Sequence, residues 1–558
     1  MTRGETTRRQ FLTRGVVAMA SVSARARLAS GMVGGMAETR NLIPGSAAAR
    51  RSNHNDWLPD APPDDLFRAL ALVAMDAARQ AGADFADIRI GVQRECNGSY
   101  ARMALGYGIR ARVNGTWSFE HGTVLTNDAV VMSVKAAVIG ARTASSVNAR
   151  LGRPATAPFA AVPIVTGKWD VPVQIDPFAV PIDDFFRAQE TFSEPVKRLG
   201  HVQSNGWLQW TNETRVFAST EGSLVTQTFT RGGPRINLHA WLPDTDDPIG
   251  IEVTRPDGES AGFEILLRTN FSDRIVAAAE ELIRWREIPL KRFDDVGRFP
   301  MVFDGAAFAA LVGQTLNFAL DGDRVSGNEA DASGRSFLQP FSAHPSQQPP
   351  EFSPLLTVST NRSLPSSTAV QWDDDGVAPT PFTLVDKGTV VDFHTTRDTA
   401  PLFESWYRQR NHPYRLHGGC VAPTPASVPM CSGGDLSVAA RGTATSPLDL
   451  AHDMSHGFLV MGAYVQAAPG LTTGLIDSPL IVEIRNGKPV NRVYNLRLAF
   501  ITNVVLKNGL TALGNASTMG TAIASARKGM PWQDMRHPVS APAASCKDVD
   551  ILRMDLSR

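Results

Sequence analysis

Asp87-Ile88-Arg89-Ile90-Gly91-Val92-Gln93 and, further on, Ile109-Arg110-Ala111-Arg112-Val113-Asn114-Gly115-Thr116-Trp117-Ser118-Phe119 decide how this chain is read. In both stretches apolar side chains alternate with polar ones, the period-two pattern of a strand with one buried face. Asn114-Gly115 then predicts a tight two-residue hairpin, because such turns need positive φ at both central residues. Upstream, Leu66, Leu70, Val73 and Ala77 recur every three to four residues, which predicts a helix begun by Asp64 or Asp65 and ended by Gly82. Downstream, Val130, Val134, Ala137, Val138 and Ala141 form a second helical stripe starting from Thr126. Helix, strands and helix over residues 51–150 read as a compact α/β domain.

Six prolines between Pro154 and Pro181 mark the next boundary and predict an extended segment laid over the surface. Residues 151–300 continue as a central α/β region: a helix from Asp183, a β-rich stretch from Trp207 to Phe229 turning at Glu221-Gly222-Ser223, and a helix from Ser272 to Arg286. Residues 301–558 are dominated by hairpin signals at Asp375-Gly376, Lys387-Gly388, Asn486-Gly487 and Asn508-Gly509, with apolar runs such as Leu480 to Ile484 and Phe500 to Leu506. The fold class is therefore α+β: an N-terminal α/β domain followed by a large, mostly antiparallel β-rich C-terminal domain. Gly327 to Ser366, rich in Ser, Pro, Gln and Asn, reads as an irregular exposed excursion.

Residues 1–50 stand apart. Arg8-Arg9-Gln10-Phe11-Leu12, followed by a mildly apolar stretch and small residues around Ala24-Arg25-Ala26, has the order of a twin-arginine export signal. It predicts export in the folded state to a bacterial periplasm or cell envelope. Removing residues 1–26 takes away five Arg and one Glu from a chain of zero formal charge and leaves −4. That balance argues against a nucleic-acid partner, whose phosphates demand clustered positive charge. No later stretch holds the run of apolar residues a spanning helix requires, so no transmembrane segment is expected. Four cysteines, Cys96, Cys420, Cys431 and Cys546, are too few for a disulfide scaffold, although Cys420 and Cys431 are close enough in sequence to bridge in an oxidising compartment.

Several segments, in order, resemble the TldD/PmbA family of metallopeptidase-related proteins. They are Gly82 to Arg89, Gly106-Tyr107-Gly108-Ile109-Arg110, Val113 to Phe119, Ser219-Thr220-Glu221-Gly222-Ser223, Thr396-Arg397-Asp398-Thr399-Ala400, Glu483 to Val490 and Gly514-Asn515. The resemblance implies a paired-subunit architecture around an internal chamber. In that family one subunit type carries zinc on a helix bearing HExxxH, with a distant cysteine, and cleaves unfolded peptides; its partner subunit lacks those ligands. Here the corresponding helix reads Ala310-Leu311-Val312-Gly313-Gln314-Thr315-Leu316-Asn317-Phe318-Ala319-Leu320-Asp321-Gly322-Asp323. Gly313 and Phe318 stand where the histidines belong, and Gln314 where the glutamate belongs. None of the three ligates zinc or takes a proton at neutral pH. The distant cysteine is missing from the matching stretch Arg527 to Gln533, with Cys546 beyond it.

The expectation is thus an exported TldD/PmbA-type subunit with no catalytic residues and no bound cofactor. It would act in a homo- or hetero-oligomer with a TldD-type homologue and bind unfolded peptide. One alternative is an active hydrolase with a relocated metal site. His452 and His456, four apart on a predicted short helix with a Ser446 capping box, are its main candidates, with His417, Cys420, Cys431 and Cys546 behind them. With no third ligand nearby in sequence, an exposed helix surface is the expected reading of the histidine pair. Another alternative is a purely structural peptide-binding module. No GxSxG elbow and no P-loop occurs in the chain.

Overall fold

The computed structural model describes residues 37–42, 52–152, 159–241, 248–253, 258–268, 271–329, 336–338, 351–412, 415–468, 470–494, 496–529 and 532–553. The export signal, with Arg8, Arg9, Phe11 and Leu12, lies outside the described residues.

Helix α1 (Asp64–Gln80) follows Pro63, which takes the N-cap position in place of the expected aspartate; Asp64 and Asp65 instead occupy the first turn, where negative charge favours the exposed N–H groups. The helix buries Phe67, Leu70, Ala74 and Met75, each large side chain contributing roughly 1.5–3 kcal/mol by leaving water. It lies on strand β2 (Phe85–Asn97), which pairs with β3 (Tyr100–Val113), itself flanked by β1 (Ala37–Leu42) and β4 (Thr116–Gly122). The β3–β4 turn has φ of 49° at Asn114 and 76° at Gly115, as the sequence requires. Helix α2 (Asn127–Arg150) is capped by Thr126, whose hydroxyl accepts from Ala129 N at 3.3 Å. Among the described residues it alone is long and apolar enough to cross a membrane, yet its Val130, Val134, Ala137, Val138 and Ala141 face packs into the core with α1, β3 and β4.

The sheet does not stop at the proline segment. Strand β5 (Thr166–Asp170), β6 (Val202–Ser219), β7 (Leu224–Trp241) and β8 (Pro248–Glu252) extend it to eight strands in the order β1-β3-β2-β6-β7-β5, with β4 on β3 and β8 on β7. Because β2 pairs with β6 from Asp87↔Ser219 to Asn97↔Gln209, residues 51–150 and 202–252 share one sheet. Helices α3 (Ile182–Leu199) and α4 (Phe271–Arg286) pack beside it. One hydrophobic cluster joins Trp210, Leu238 and Ile275 of this half to Val302, Leu459 and Val482 of the other.

The C-terminal half is mostly antiparallel. A ten-stranded sheet contains Gly297–Phe303, paired parallel to His456–Met461 and antiparallel to Ala544–Arg553. A six-stranded sheet contains Val358–Asn361, Asp435–Val438, Gln533–Ala541 and Gly520–Lys528. Helix α5 (Gly305–Val312) runs into a π turn, Gly313–Asn317, and a 3-10 turn, Phe318–Leu320, and packs on the last two of those strands.

Four local expectations change. The predicted exposed excursion from Gly327 includes strand Val358–Asn361, and Leu356 and Val358 are fully buried, because the apolar positions after Phe352 are claimed by the sheet. Asp375-Gly376 makes no hairpin, since the Asp375 carboxylate is taken by Arg110 of the other half and by the Arg397 amide. Asn508-Gly509 closes a π turn, Val504–Gly509, instead of joining strands. The Ser446 helix exists with its capping box, but it is a 3-10 helix that ends at Ala451.

Candidate functional site

The π and 3-10 turns that continue helix α5 carry the positions where the resemblance places metal ligands, and Gly313 and Phe318 are enclosed by packing. A Cβ on Gly313 would stand 2.8 Å from Val539 Cγ2 and 2.9 Å from Ala524 Cβ, closer than side-chain carbons approach one another. An imidazole has no room there. Phe318 is fully buried, with its ring 5.8 Å from the His537 ring. Gln314 is half-buried beside them. These residues do not fit a zinc ion. Among the described residues, no three His, Cys, Asp or Glu side chains converge as a metal-binding group.

The other candidates separate. His452 is exposed and contacts Asp453 at 2.8 Å, whereas His456 opens a strand and meets Glu483 at 3.2 Å with Phe299 and Phe458 around it. The helix ends before both, so the two imidazoles do not share a helical face. Cys420 and Cys431 face each other across a two-stranded ladder, but both thiols are free. The Cys431 thiol donates to His394 O at 3.1 Å, and burial pushes both thiols well up. Cys546 is core, its thiol raised by burial to about 12.

Lys528, in the stretch searched for the distant cysteine, is the most completely satisfied charge in this region. Its ammonium meets Asp321 Oδ2 at 2.8 Å, both Asp323 oxygens at 3.1 Å and Glu329 Oε2 at 3.1 Å, and donates to Cys431 O. Arg324 adds a second cation, 3.0 Å from Glu329. Burial would strip the proton from Lys528, but the carboxylates overrule it and raise it. Three carboxylates face two cations, and burial raises Asp321 to about 7, so its titration near neutrality relieves the excess of negative charge.

Above Phe318 several neutral polar groups converge. Ser432 Oγ and His537 Nε2 lie 2.6 Å apart, and a Cβ on Gly433 would fall 2.5 Å from His394 Nε2 and 2.9 Å from Asn317 Oδ1. Asn317 Oδ1 and Nδ2, His394 Nε2 and His537 Nδ1 are buried without a hydrogen-bond partner among the described residues. Burial lowers His537 to about 3 and His394 well below its ordinary value, so both rings are neutral at pH 7. His417, stacked on Phe382, contacts Asp392 Oδ2 at 2.9 Å. Ser432 is fully buried and His537 Nδ1 has no carboxylate to orient it, so the pair lacks the third member and the access of a nucleophilic triad.

From His537 a cleft of about 240 Å³ opens between the two halves. Its N-terminal wall is Arg215, Gln227, Phe229 and Arg231; its C-terminal wall includes Arg362, Trp372, Asp374 and Arg536. The halves are pinned beside it by Asp373-Asp374-Asp375. Asp374 Oδ1 meets Arg215 Nη1 at 2.7 Å, and Asp375 Oδ1 meets Arg110 Nη2 at 2.6 Å. Asp373 accepts from the amides of Asp375, Val377 and Cys420. Arg397 grips Glu221 through two contacts of 2.8 Å, which unites two segments of the family resemblance. The sequence pointed to Gly313, Gln314 and Phe318, but it missed Asn317, His394, Ser432, His537, Lys528 and Arg231. Lys528 and His537 sit on strands that carry other polar residues too, so neither stood out in the sequence.

A two-half α+β fold, with a buried helix packed on the six-stranded sheet and a cleft between the halves, defines the class. Residues 296–552 match the PmbA/TldA metallopeptidase C-terminal domain, which places that part of the chain in the TldD/PmbA family. A search of the curated proteins finds no match. Similar solved structures include TldE from Thermococcus kodakarensis (TM-score 0.60, 13% identity, covering 87% of this chain and 99% of that one). Two proposed modulators of DNA gyrase are also similar. One, from Bacteroides thetaiotaomicron, has a TM-score of 0.59 at 15% identity, over 87% of this chain and 99% of that one. The other, from Thermotoga maritima, has a TM-score of 0.58 at 13% identity, over 87% and 100%.

Proposed function

We propose that this chain is a non-catalytic TldD/PmbA-type subunit that binds extended peptide, paired with a zinc-bearing homologue or with itself, and exported folded by the twin-arginine route. The observation that carries the reading is the crowding at Gly313. The missing ligand there is not a single substitution in a preserved socket, because Val539 and Ala524 have closed the space. Phe318 and the Lys528 carboxylate cage support it, since together they replace an open metal site by an apolar plug and a covalently attached cation. The likeness to a TldE and the apolar side chains left exposed on α2, Met132, Ile139 and Val147, support a partner subunit.

Co-purification from the native envelope, with cleavage assays on the chain alone and on the recovered complex, tests the reading. A homologous zinc-bearing partner, and cleavage only in its presence, is expected. A monomeric chain recovered from the cytoplasm that cleaves peptides unaided would overturn it.

A further inference from the structure

The cleft between the halves holds a cation that the fold does not satisfy. Arg215 is matched by Glu213 at 2.5 Å and Asp374 at 2.7 Å. Arg231, beside it on the same wall, has no ion pair among the described residues, and its Nε is buried without a hydrogen-bond partner. Its guanidinium lies 4.6 Å over the Phe229 ring. Arg362, across the cleft, is held through carbonyls, Gly418 O at 2.7 Å and Thr368 O at 3.4 Å, and meets no carboxylate at ion-pair distance among the described residues. Burial brings Arg231 down to about 10, so it is still charged at neutral pH. Buried cations are ordinarily paired, and these two face an open cleft instead.

We propose that Arg231 and Arg362 form a binding site for a carboxylate, fitted to the C-terminal end of a peptide. A guanidinium fork matches the two oxygens of a carboxylate. The cleft, at about 240 Å³, is smaller than the roughly 300–1,000 Å³ that encloses a whole drug-sized ligand, so it takes the end of a chain. Phe229 and Trp372 supply apolar walls for the last side chain, and Gln227 fixes Trp372 by accepting from its amide and donating to its carbonyl at 3.0 and 2.9 Å. This deepens the peptide-binding reading and rests on it for the peptide, though not for the anion.

Calorimetric titration of the full chain with two short peptides that differ only in a C-terminal carboxylate or amide tests the site, with succinate and inorganic phosphate as separate arms. The acid is expected to bind at least about tenfold more tightly than the amide, succinate to compete with it, and Arg231→Met to abolish the difference while leaving Tm unchanged or raised. A lower Tm for Arg231→Met would show a structural cation and overturn the proposal. Equal binding of acid and amide would overturn it while leaving peptide binding intact. Binding of succinate with neither peptide bound would overturn the peptide ligand itself, and tighter binding of phosphate than of either carboxylate would replace it.

Discussion

Two buried cations near the site, Lys528 of the C-terminal half and Arg231 of the N-terminal half, are treated in opposite ways. Lys528 is enclosed by Asp321, Asp323 and Glu329, with Arg324 as a second cation balancing the cluster. Arg231 lies in the neighbouring cleft over an aromatic ring, with no carboxylate at ion-pair distance among the described residues. Where a buried charge is fully answered by the fold, its role is to hold the fold. Where it is left unanswered beside an opening, the partner comes from outside. The turn at Gly313, packed against Val539 and Ala524, belongs with Lys528.

The widest separation between the two should come from removing the satisfied cation. Lys528→Met leaves three buried carboxylates with one cation, and is expected to cost about 3–5 kcal/mol in urea unfolding at pH 7. A loss no larger than that of Arg231→Met would erase the contrast. Asp375→Asn tests the pinning turn beside the cleft. It removes the charge facing Arg110 while keeping an acceptor for Arg397 N, and an expected loss of about 1–3 kcal/mol is read from the same denaturation curves. Similar in size, Gly313→His should cost about 1–3 kcal/mol by overpacking against Val539 and Ala524, and adding Gln314→Glu and Phe318→His should not create stoichiometric zinc binding.

The smallest effect sharpens the account of the Lys528 cage. Asp321 has its folded pKa raised to about 7, above the unfolded carboxylate value of about 3.9, so the native state holds the proton more tightly. Its contribution is fully present below the unfolded value and is lost as pH rises through the folded one. Asp321→Asn should therefore lie within about 1 kcal/mol of the wild type near neutrality and gain on it steadily from pH 4 to pH 8, as measured by thermal unfolding across that range. A gap that does not change with pH would place the excess charge elsewhere.

The sequence revealed most where local chemistry suffices. Asn114-Gly115 and Asn486-Gly487 adopt positive φ at both residues and close hairpins as read. Asp375-Gly376 carries the same local signal and fails, because the Asp375 carboxylate binds Arg110, 265 residues away. His452 and His456 looked paired by spacing alone, but the helix stops at Ala451 and the next residues enter a strand. That Gly313, Gln314 and Phe318 are residue types unable to hold zinc was legible in the sequence. The crowding at Gly313 was not, since Val539 and Ala524 reach it only through the fold. Lys528, Arg231 and the neutral cluster at Asn317, His394 and His537 come together from segments hundreds of residues apart, and no spacing announces them.

The central claim is that this TldD/PmbA chain keeps the fold and has lost the metal chemistry. Metal content of the purified protein after incubation with zinc and gel filtration, measured with peptide cleavage on the same sample, tests it most directly. The account predicts far less than one zinc per chain and no cleavage; one zinc per chain with cleavage abolished by a chelator would contradict it.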